Sequence, residues 1–165
     1  MIKKPKIEFK TWIRWYVLAN QTEASLYRTT RETKFKFIER LHNQAGRKHE
    51  RDLDSDGPGK SFSSASPSTI HHSLDRSFHH HEFAAKQFAK TVAQRLDHAA
   101  SEGLYTELVL VCEPQFLGLL RAEISDRVRK LISHEVNREY SNGSDQEMHS
   151  LILKAMEEMP RESRA

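Results

Sequence analysis

The N-terminal part of the chain contains three short runs with the patterns of β-strands, and in two of them apolar and polar residues alternate. Residues 11–20 are rich in aromatic and β-branched side chains, and residues 24–30 and 34–41 alternate. Short polar turns separate the runs, so we predict a meander of three strands. The inward candidates of the last run are Phe35, Phe37 and either Ile38 or Leu41.

A long apolar stripe with helical spacing lies in the middle of the chain. Its members recur about every four residues, which is typical of a helix that buries one face. The helix is predicted to begin between Leu74 and Glu82, and Gly103 is the expected left-handed residue after its end. The stripe consists of Ala84, Phe88, Val92, Leu96 and either Ala99 or Ala100.

A buried strand is predicted after this helix. Residues 108–111 are all apolar, which indicates a strand covered on both faces, and Pro114 closes it. Short helices are predicted over residues 115–122 and 126–132, the second with Ser125 as its N-cap. This succession of helix, strand and helix is typical of a parallel crossover.

The last elements are predicted to be an edge strand and a helix. Residues 134–140 alternate, with Val136 directed inward. Ser144 and Glu147 have the spacing of a capping box, which predicts the start of a helix that runs to about Met156.

The order of elements predicts a single α/β domain: a mixed β-sheet of about five strands with helices packed on its faces. The domain is expected to span residues 11–158, between a basic N-terminal tail (1–10) and a C-terminal tail (159–165). Residues 43–73 hold many glycine, proline and serine residues and show no hydrophobic period, so we predict a long flexible loop there.

Charge is unevenly distributed along the chain. Residues 1–51 carry 13 Lys and Arg against 5 Asp and Glu, a net of +8, whereas residues 52–165 carry 13 against 18, a net of −5. A basic N-terminal half suits phosphates or an acidic partner. The alternative is that lysines on exposed strand faces protect the sheet from edge-to-edge aggregation.

Composition limits the classes of site that the chain can form. The one cysteine, Cys112, excludes an internal disulfide, and its apolar neighbours indicate a buried inert thiol instead of a nucleophile. No run of 18 apolar residues occurs, so no membrane span is expected. The basic N-terminus is not followed by the apolar segment of a signal peptide, and we therefore expect a cytoplasmic protein.

Two motifs in the predicted loop resemble ligand-binding loops. Residues 52–57 match the first half of a calcium loop, but Ser63 stands where a bidentate glutamate is needed. Residues 57–61 end like a phosphate-binding loop, but Asp54 stands in place of its first glycine. We therefore predict looser contact of this loop with an anion or RNA. The candidate residues are Arg47, Lys48, Gly57, Pro58, Gly59, Lys60 and Ser61.

Other candidate chemistry is incomplete. His79, His80 and His81 are weak metal candidates, because consecutive side chains fan around a helix and do not chelate jointly without another segment. Glu107, Glu113 and Glu123 are acidic candidates by location only, and no Gly-x-Ser-x-Gly motif occurs. We therefore expect a non-enzymatic protein with no cofactor and no metal.

Several short motifs occur together in this chain. They are Thr11-Trp12, the loop from Ser55 to Phe62, Glu82-Phe83, Phe88-Ala-Lys, and the Pro-x-Phe-Leu-Gly-x-Leu-Arg element with Pro114, Phe116, Leu117, Gly118 and Arg121. With these motifs the chain resembles the host attachment protein family, described as proteins required for attachment to host cells and similar to the middle domain of archaeo-eukaryotic peptide-chain release factors. The resemblance covers roughly residues 11–158. Two features depart from the family pattern: Lys60 replaces the usual arginine, and residues 138–141 replace Lys-Asp-Leu-Thr.

The resemblance implies an α/β domain of release-factor type but not the reaction of release factors. No Gly-Gly-Gln occurs, so peptidyl-tRNA hydrolysis is not expected. Two functions remain open. One is a binding module that touches the ribosome or tRNA through the loop and the basic N-terminal half. The other is a protein-interaction factor that supports attachment to host cells directly or indirectly through an unidentified partner.

Overall fold

The computed structural model describes residues 12–31, 34–45, 67–139 and 143–159, with the backbone alone for residues 67–78. The described strands are β1 (Ile13–Ala19), β2 (Glu23–Thr30), β3 (Lys36–His42), β4 (Glu107–Cys112) and β5 (Ile132–Asn137). The helices bounded within the described residues are α1 (Pro67–Ser101), α2 (Pro114–Glu123), α3 (Asp126–Arg129) and α4 (Asp145–Glu158).

The strands form one mixed sheet in the order β3–β2–β1–β4–β5. The meander β1–β2–β3 is antiparallel, as its short polar turns predicted, whereas β4 runs parallel to both β1 and β5. Strands β1 and β4 are therefore central, and most of their residues are apolar, whereas β3 and β5 form the edges. The predicted fold class, an α/β domain with a mixed five-stranded sheet, is confirmed.

Helices cover both faces of the sheet. The predicted stripe of α1 is buried together with apolar residues of α2 and α3 against one face, where Trp15, Val17 and Leu110 contribute from the strands. Met148, Ile152 and Ala155 of α4 cover the other face over Tyr16 and Val109. The alternation of side chains along each strand supplies both cores, because successive residues point to opposite faces.

The ends of two helices follow the predicted capping chemistry. Gly103 has φ +69°, and the N–H groups of Gly103 and Leu104 donate to the carbonyls of Ala100 and Ala99, which is the Schellman arrangement. Ser144 and Glu147 form both hydrogen bonds of the capping box at the start of α4. Ser125 caps α3 by accepting a hydrogen bond from the N–H of Val128.

Helix α1 begins earlier than predicted. Its first residue is Pro67, so residues 67–73, which were predicted to end the long loop, are helical. Proline is suited to the first turn of a helix, because the N–H that it lacks would have no intrahelical partner there. The rest of the predicted loop after Ala45 lies outside the described residues.

Strand β5 also starts earlier than predicted, at the expense of α3. The helix was expected to reach Ile132, but it ends at Arg129, and β5 begins at Ile132. The N–H of Leu108 donates to the carbonyl of Leu131 at 2.7 Å, so the chain already pairs with β4 at this residue. Val136 is buried at this edge as predicted.

The prediction of the inward-facing residues of β3 is wrong for Phe37. The pairing of β2 with β3 shifts by one residue between Leu26 and Tyr27, and this bulge places the neighbours Ile38 and Glu39 on the α1 face, whereas Phe37 lies on the other face against Tyr27. Phe37, predicted to be inward, is 45% exposed, whereas Ile38 and Leu41 both pack against the core. Phe35 packs inward against the α4 side, as predicted.

Candidate functional site

The first residues of the predicted binding loop, Asn43 to Ala45, lie next to α1. Arg47, Lys48 and the run from Gly57 to Ser61 lie outside the described residues, so their role stays a prediction. The described chain stops at Ala45, which lines a pocket together with His80, His81, Phe83 and Ala84 of α1. Asn43 anchors this end, since its side-chain amide donates to the carbonyls of Gln21 and Ala84.

The Pro-x-Phe-Leu-Gly-x-Leu-Arg element forms helix α2. Pro114 is its first residue, and the side chains of Phe116 and Leu117 are buried against α1 and the sheet. Arg121 is exposed and pairs with Glu135 on β5, and hydrogen bonding with this carboxylate raises the pKa of Arg121. The apolar members of this element therefore serve packing.

Gly118 is not required by space or backbone conformation. It lies in the interior of α2 with an exposed surface, and a Cβ built on it would meet nothing within 4 Å. Because glycine costs about 1 kcal/mol relative to alanine inside a helix, Gly118→Ala should raise the free energy of unfolding by about that amount. Urea denaturation of the two proteins measures the difference. A lower stability of the variant would contradict the open surroundings of Gly118.

The three clustered histidines lie on the solvent side of α1. His79, His80 and His81 are all exposed. Among the residues that the structure describes, no group of three His, Cys, Asp or Glu side chains lies close enough to hold a metal ion. Two of these histidines line pockets at the same end of the sheet as Ala45.

A cleft of about 370 Å³ opens at the carboxyl ends of β1 and β4. The side-chain amide of Gln21 donates to Gln115 Oε1 at 2.8 Å and to Glu113 Oε1 at 3.4 Å across this cleft. Its lining includes His81 and Glu82 but, among the described residues, no serine, threonine, cysteine or lysine. The cleft can therefore bind polar groups, and its described lining offers no aliphatic hydroxyl, thiol or amine nucleophile.

Sequence reasoning missed Gln21 and Gln115, although a signal for them exists. Both follow the end of a strand by two or three residues, and side chains at the carboxyl ends of neighbouring parallel strands converge at one edge. The parallel pairing of β1 with β4 places these two side chains together. That pairing joins segments far apart in the chain, so the spacing of residues alone does not reveal it.

Glu107 is engaged in a structural cluster. Its two carboxylate oxygens accept hydrogen bonds from Arg14 Nη2 and Trp12 Nε1, each at 2.9 Å. The Arg14 side chain is 2% exposed, and its guanidinium carbon lies 4.8 Å from the centre of the Trp12 ring. Burial raises the pKa of Tyr16, which follows Arg14 on the same face of β1. The cluster therefore ties β1 to β4.

Cys112 is fully buried at the end of β4, as its apolar neighbours predicted. Burial raises the pKa of its thiol to about 12. The nucleophilic form of cysteine is the thiolate, so Cys112 is inert at neutral pH.

Four basic residues lie together where β2 leads into β3. We call Arg28, Arg31, Lys34 and Lys36 the basic strip. Arg31, Lys34 and Lys36 are exposed, Arg28 is half-buried, and none of the four forms an ion pair with another described residue. Phe37 follows Lys36, and its ring lies on the opposite face of the sheet against Tyr27, with 45% of its surface exposed. This edge of the sheet therefore offers positive charge on one face and an exposed aromatic ring on the other.

Comparisons with known proteins give a family. No described helix is long and apolar enough to cross a membrane. No curated protein matches the chain. Solved structures similar to it include an archaeal protein (TM-score 0.44, 11% identity, 87% of this chain and 33% of that chain). An archaeal translation termination factor is also similar (TM-score 0.40, 11% identity, 88% and 39%).

The chain spans well under half of each of these two structures. The family model for proteins required for attachment to host cells matches residues 15–152, which include the whole sheet apart from the first two residues of β1. The match thus takes in the α2 element and the capping box of α4. On this match, the chain belongs to the family of proteins required for attachment to host cells.

Proposed function

We propose that this host attachment protein is a non-catalytic, cytoplasmic binding module that contacts RNA, free or within the ribosome. The observation that supports it most is the basic strip. Cations without ion-pair partners among the described residues release counterions when they meet phosphates, and an exposed phenylalanine offers a surface on which a base can stack.

The basic strip is separate from the start of the predicted loop. Lys36 and His42 mark the two ends of β3, which are roughly 20 Å apart at the rise of a strand. The loop candidates Arg47, Lys48 and Lys60 follow the second of these ends. An RNA contact through the strip can therefore be tested without changing the loop.

A sedimentation experiment tests the association in the cell. Lysate is run on sucrose gradients at low and high salt, and the protein is detected across the fractions. Co-sedimentation with ribosomal subunits that high salt abolishes would support RNA contact, because phosphate contacts weaken steeply with salt. A position at the top of the gradient in both salts would count against it.

Charge removal at the strip gives the sharper prediction. For single-stranded RNA, Arg31→Gln with Lys34→Gln should lower the slope of log affinity against log salt by about 1.4, at about 0.7 for each phosphate contact. Fluorescence anisotropy with a labelled oligonucleotide measures this slope. The matched control is Lys86→Gln with Lys90→Gln on the exposed side of α1, which removes the same charge. An equal effect of both pairs would mean that only net charge matters.

A protein-interaction factor is the second candidate. Phe83 favours it, because this large side chain is 64% exposed beside the pocket that Ala45 and His80 line. Exposed aromatic residues next to concave surfaces are typical of protein contacts. A gradient position independent of salt, together with loss of host attachment in a Phe83→Ser strain, would favour this function over RNA contact.

A further inference from the structure

A second cavity of about 370 Å³, which we call the edge cavity, lies between the β2–β3 edge and the C-terminal end of α1. It is at the opposite end of β1 from the carboxyl-end cleft, because its lining includes Ile13 at the start of that strand. The residues that determine its chemistry are Trp15, Arg28, Lys36, Arg95 and Leu104.

The edge cavity is positively charged. Arg95 forms an ion pair with Glu39 at 2.5 Å, so its charge is balanced. Arg28 and Lys36 have no such partner among the described residues, and both line the cavity. Two uncompensated cations beside a concave surface attract a negatively charged ligand.

The walls of the edge cavity are flat and apolar. Trp15 forms part of the lining, and its ring is held by Tyr105, with 5.0 Å between ring centres, and by the Arg95 guanidinium at 5.8 Å. Leu104 in the lining remains 41% exposed. A flat ring entering the cavity would cover this exposed apolar surface.

Two N–H donors of residues that line the edge cavity have no acceptor among the described residues. They are Nε1 of Trp15 and Nη1 of Arg95, and both atoms are buried. A buried donor without an acceptor costs about 1–3 kcal/mol, and such groups are rare in native proteins. A small turn of the half-buried Arg95 side chain would offer Nη1 to an anion in the cavity. The missing acceptor therefore fits a ligand that carries anionic oxygens.

We propose that the edge cavity binds a small planar aromatic anion, with its ring against Trp15 and Leu104 and its charge at Arg28 and Lys36. The volume is at the lower end of the range for ligand pockets, which suits one or two fused rings. Such a ligand comes either from a free aromatic carboxylate or from a single nucleotide. The cavity shares Arg28 and Lys36 with the basic strip, whereas Arg31 and Lys34 do not line it. The Arg31/Lys34 variant therefore tests RNA contact without changing the cavity.

Titration of the ¹⁵N-labelled full-length chain tests the proposal. The chain has two tryptophans, so two indole N–H signals are expected, and Trp12→Phe assigns them. The probes are 2-naphthoate, its neutral counterpart 2-naphthylmethanol, and adenosine monophosphate. The signal of Trp15 should shift with 2-naphthoate, whereas Trp12, whose Nε1 is bound to Glu107, should not. A similar Trp15 shift with adenosine monophosphate alone would identify a nucleotide as the source.

Dependence on the charge of the ligand distinguishes a specific site from nonspecific hydrophobic binding. The double variant Arg28→Gln with Lys36→Gln should weaken 2-naphthoate binding roughly tenfold or more, in line with hydrogen bonds to charged groups. Lys86→Gln with Lys90→Gln should leave it unchanged, and 2-naphthylmethanol should bind at least about tenfold more weakly than the anion. Equal binding of the neutral probe, an unchanged Arg28/Lys36 variant, or no Trp15 shift with either anion at millimolar concentration would each overturn the proposal.

Discussion

Replacement of Phe88 by alanine should lower the free energy of unfolding by about 4 kcal/mol, because it leaves a cavity between α1 and α2. Phe88 is 4% exposed, and its ring centre lies 5.6 Å from that of Phe116. Leu117, on the same helix as Phe116, is 1% exposed, and Leu117→Ala should cost about 3 kcal/mol for the same reason. Urea denaturation of each variant measures these losses.

Phe83→Ala is the matched control for this prediction. Phe83 lies five positions before Phe88 on the same helix but is 64% exposed. The same substitution should change stability by less than about 0.5 kcal/mol there, as is usual for surface positions. If both phenylalanines cost the same, or if Phe88→Ala costs nothing, the described packing of α1 on α2 is wrong.

Glu107→Ala should lower the free energy of unfolding by about 3 kcal/mol. The Arg14 side chain is 2% exposed and would lose the carboxylate that faces it across the β1–β4 pairing. Removing one partner of a buried ion pair is costly, because the charge that stays buried has lost its compensation. Trp12 would also lose the acceptor of its indole N–H.

Glu135→Ala provides the comparison for an exposed ion pair. Glu135 pairs with Arg121, whose side chain is 54% exposed. Surface pairs contribute about 0–1 kcal/mol, so Glu135→Ala should have a small effect. The two variants remove the same group, and thermal denaturation of both should show a clearly larger loss for Glu107. Equal losses would mean that the Arg14–Glu107 pair does not hold the two strands together.

Local patterns were sufficient to predict most elements of this fold. Gly103 and the capping box of Ser144 act on neighbouring residues, so spacing in the sequence reveals them. The early start of α1 had a signal too, since Ile70, Leu74 and Phe78 recur every four residues before the stripe. The glycine, proline and serine residues between Gly46 and Ser68 were taken as loop formers, which outweighed that signal. The bulge that lets both Ile38 and Leu41 face α1 arises from pairing with β2 and has no local signature.

The sites depend more on distant residues than the fold does. Arg28, Lys36 and Arg95 meet at the edge cavity from three separate elements, and no motif connects them. Arg14 and Glu107 become neighbours only through the register of β1 and β4. Nothing in the sequence specifies that register. The loop candidates from Arg47 to Ser61 differ from these residues, because a local motif is enough to predict them. They lie outside the described residues.

The position of β1 between β2 and β4 has a consequence for how the chain is made. Arg14 and Glu107 are 93 residues apart, so at about 5–20 residues per second the ribosome adds β4 roughly 5 to 20 s after β1. In that interval the meander can pair, but the other edge of the apolar strand β1 has no strand beside it. Open apolar edges promote association between chains. Nascent chains are therefore most vulnerable to misassembly while α1 is being synthesised, and slower translation of that segment lengthens the exposure.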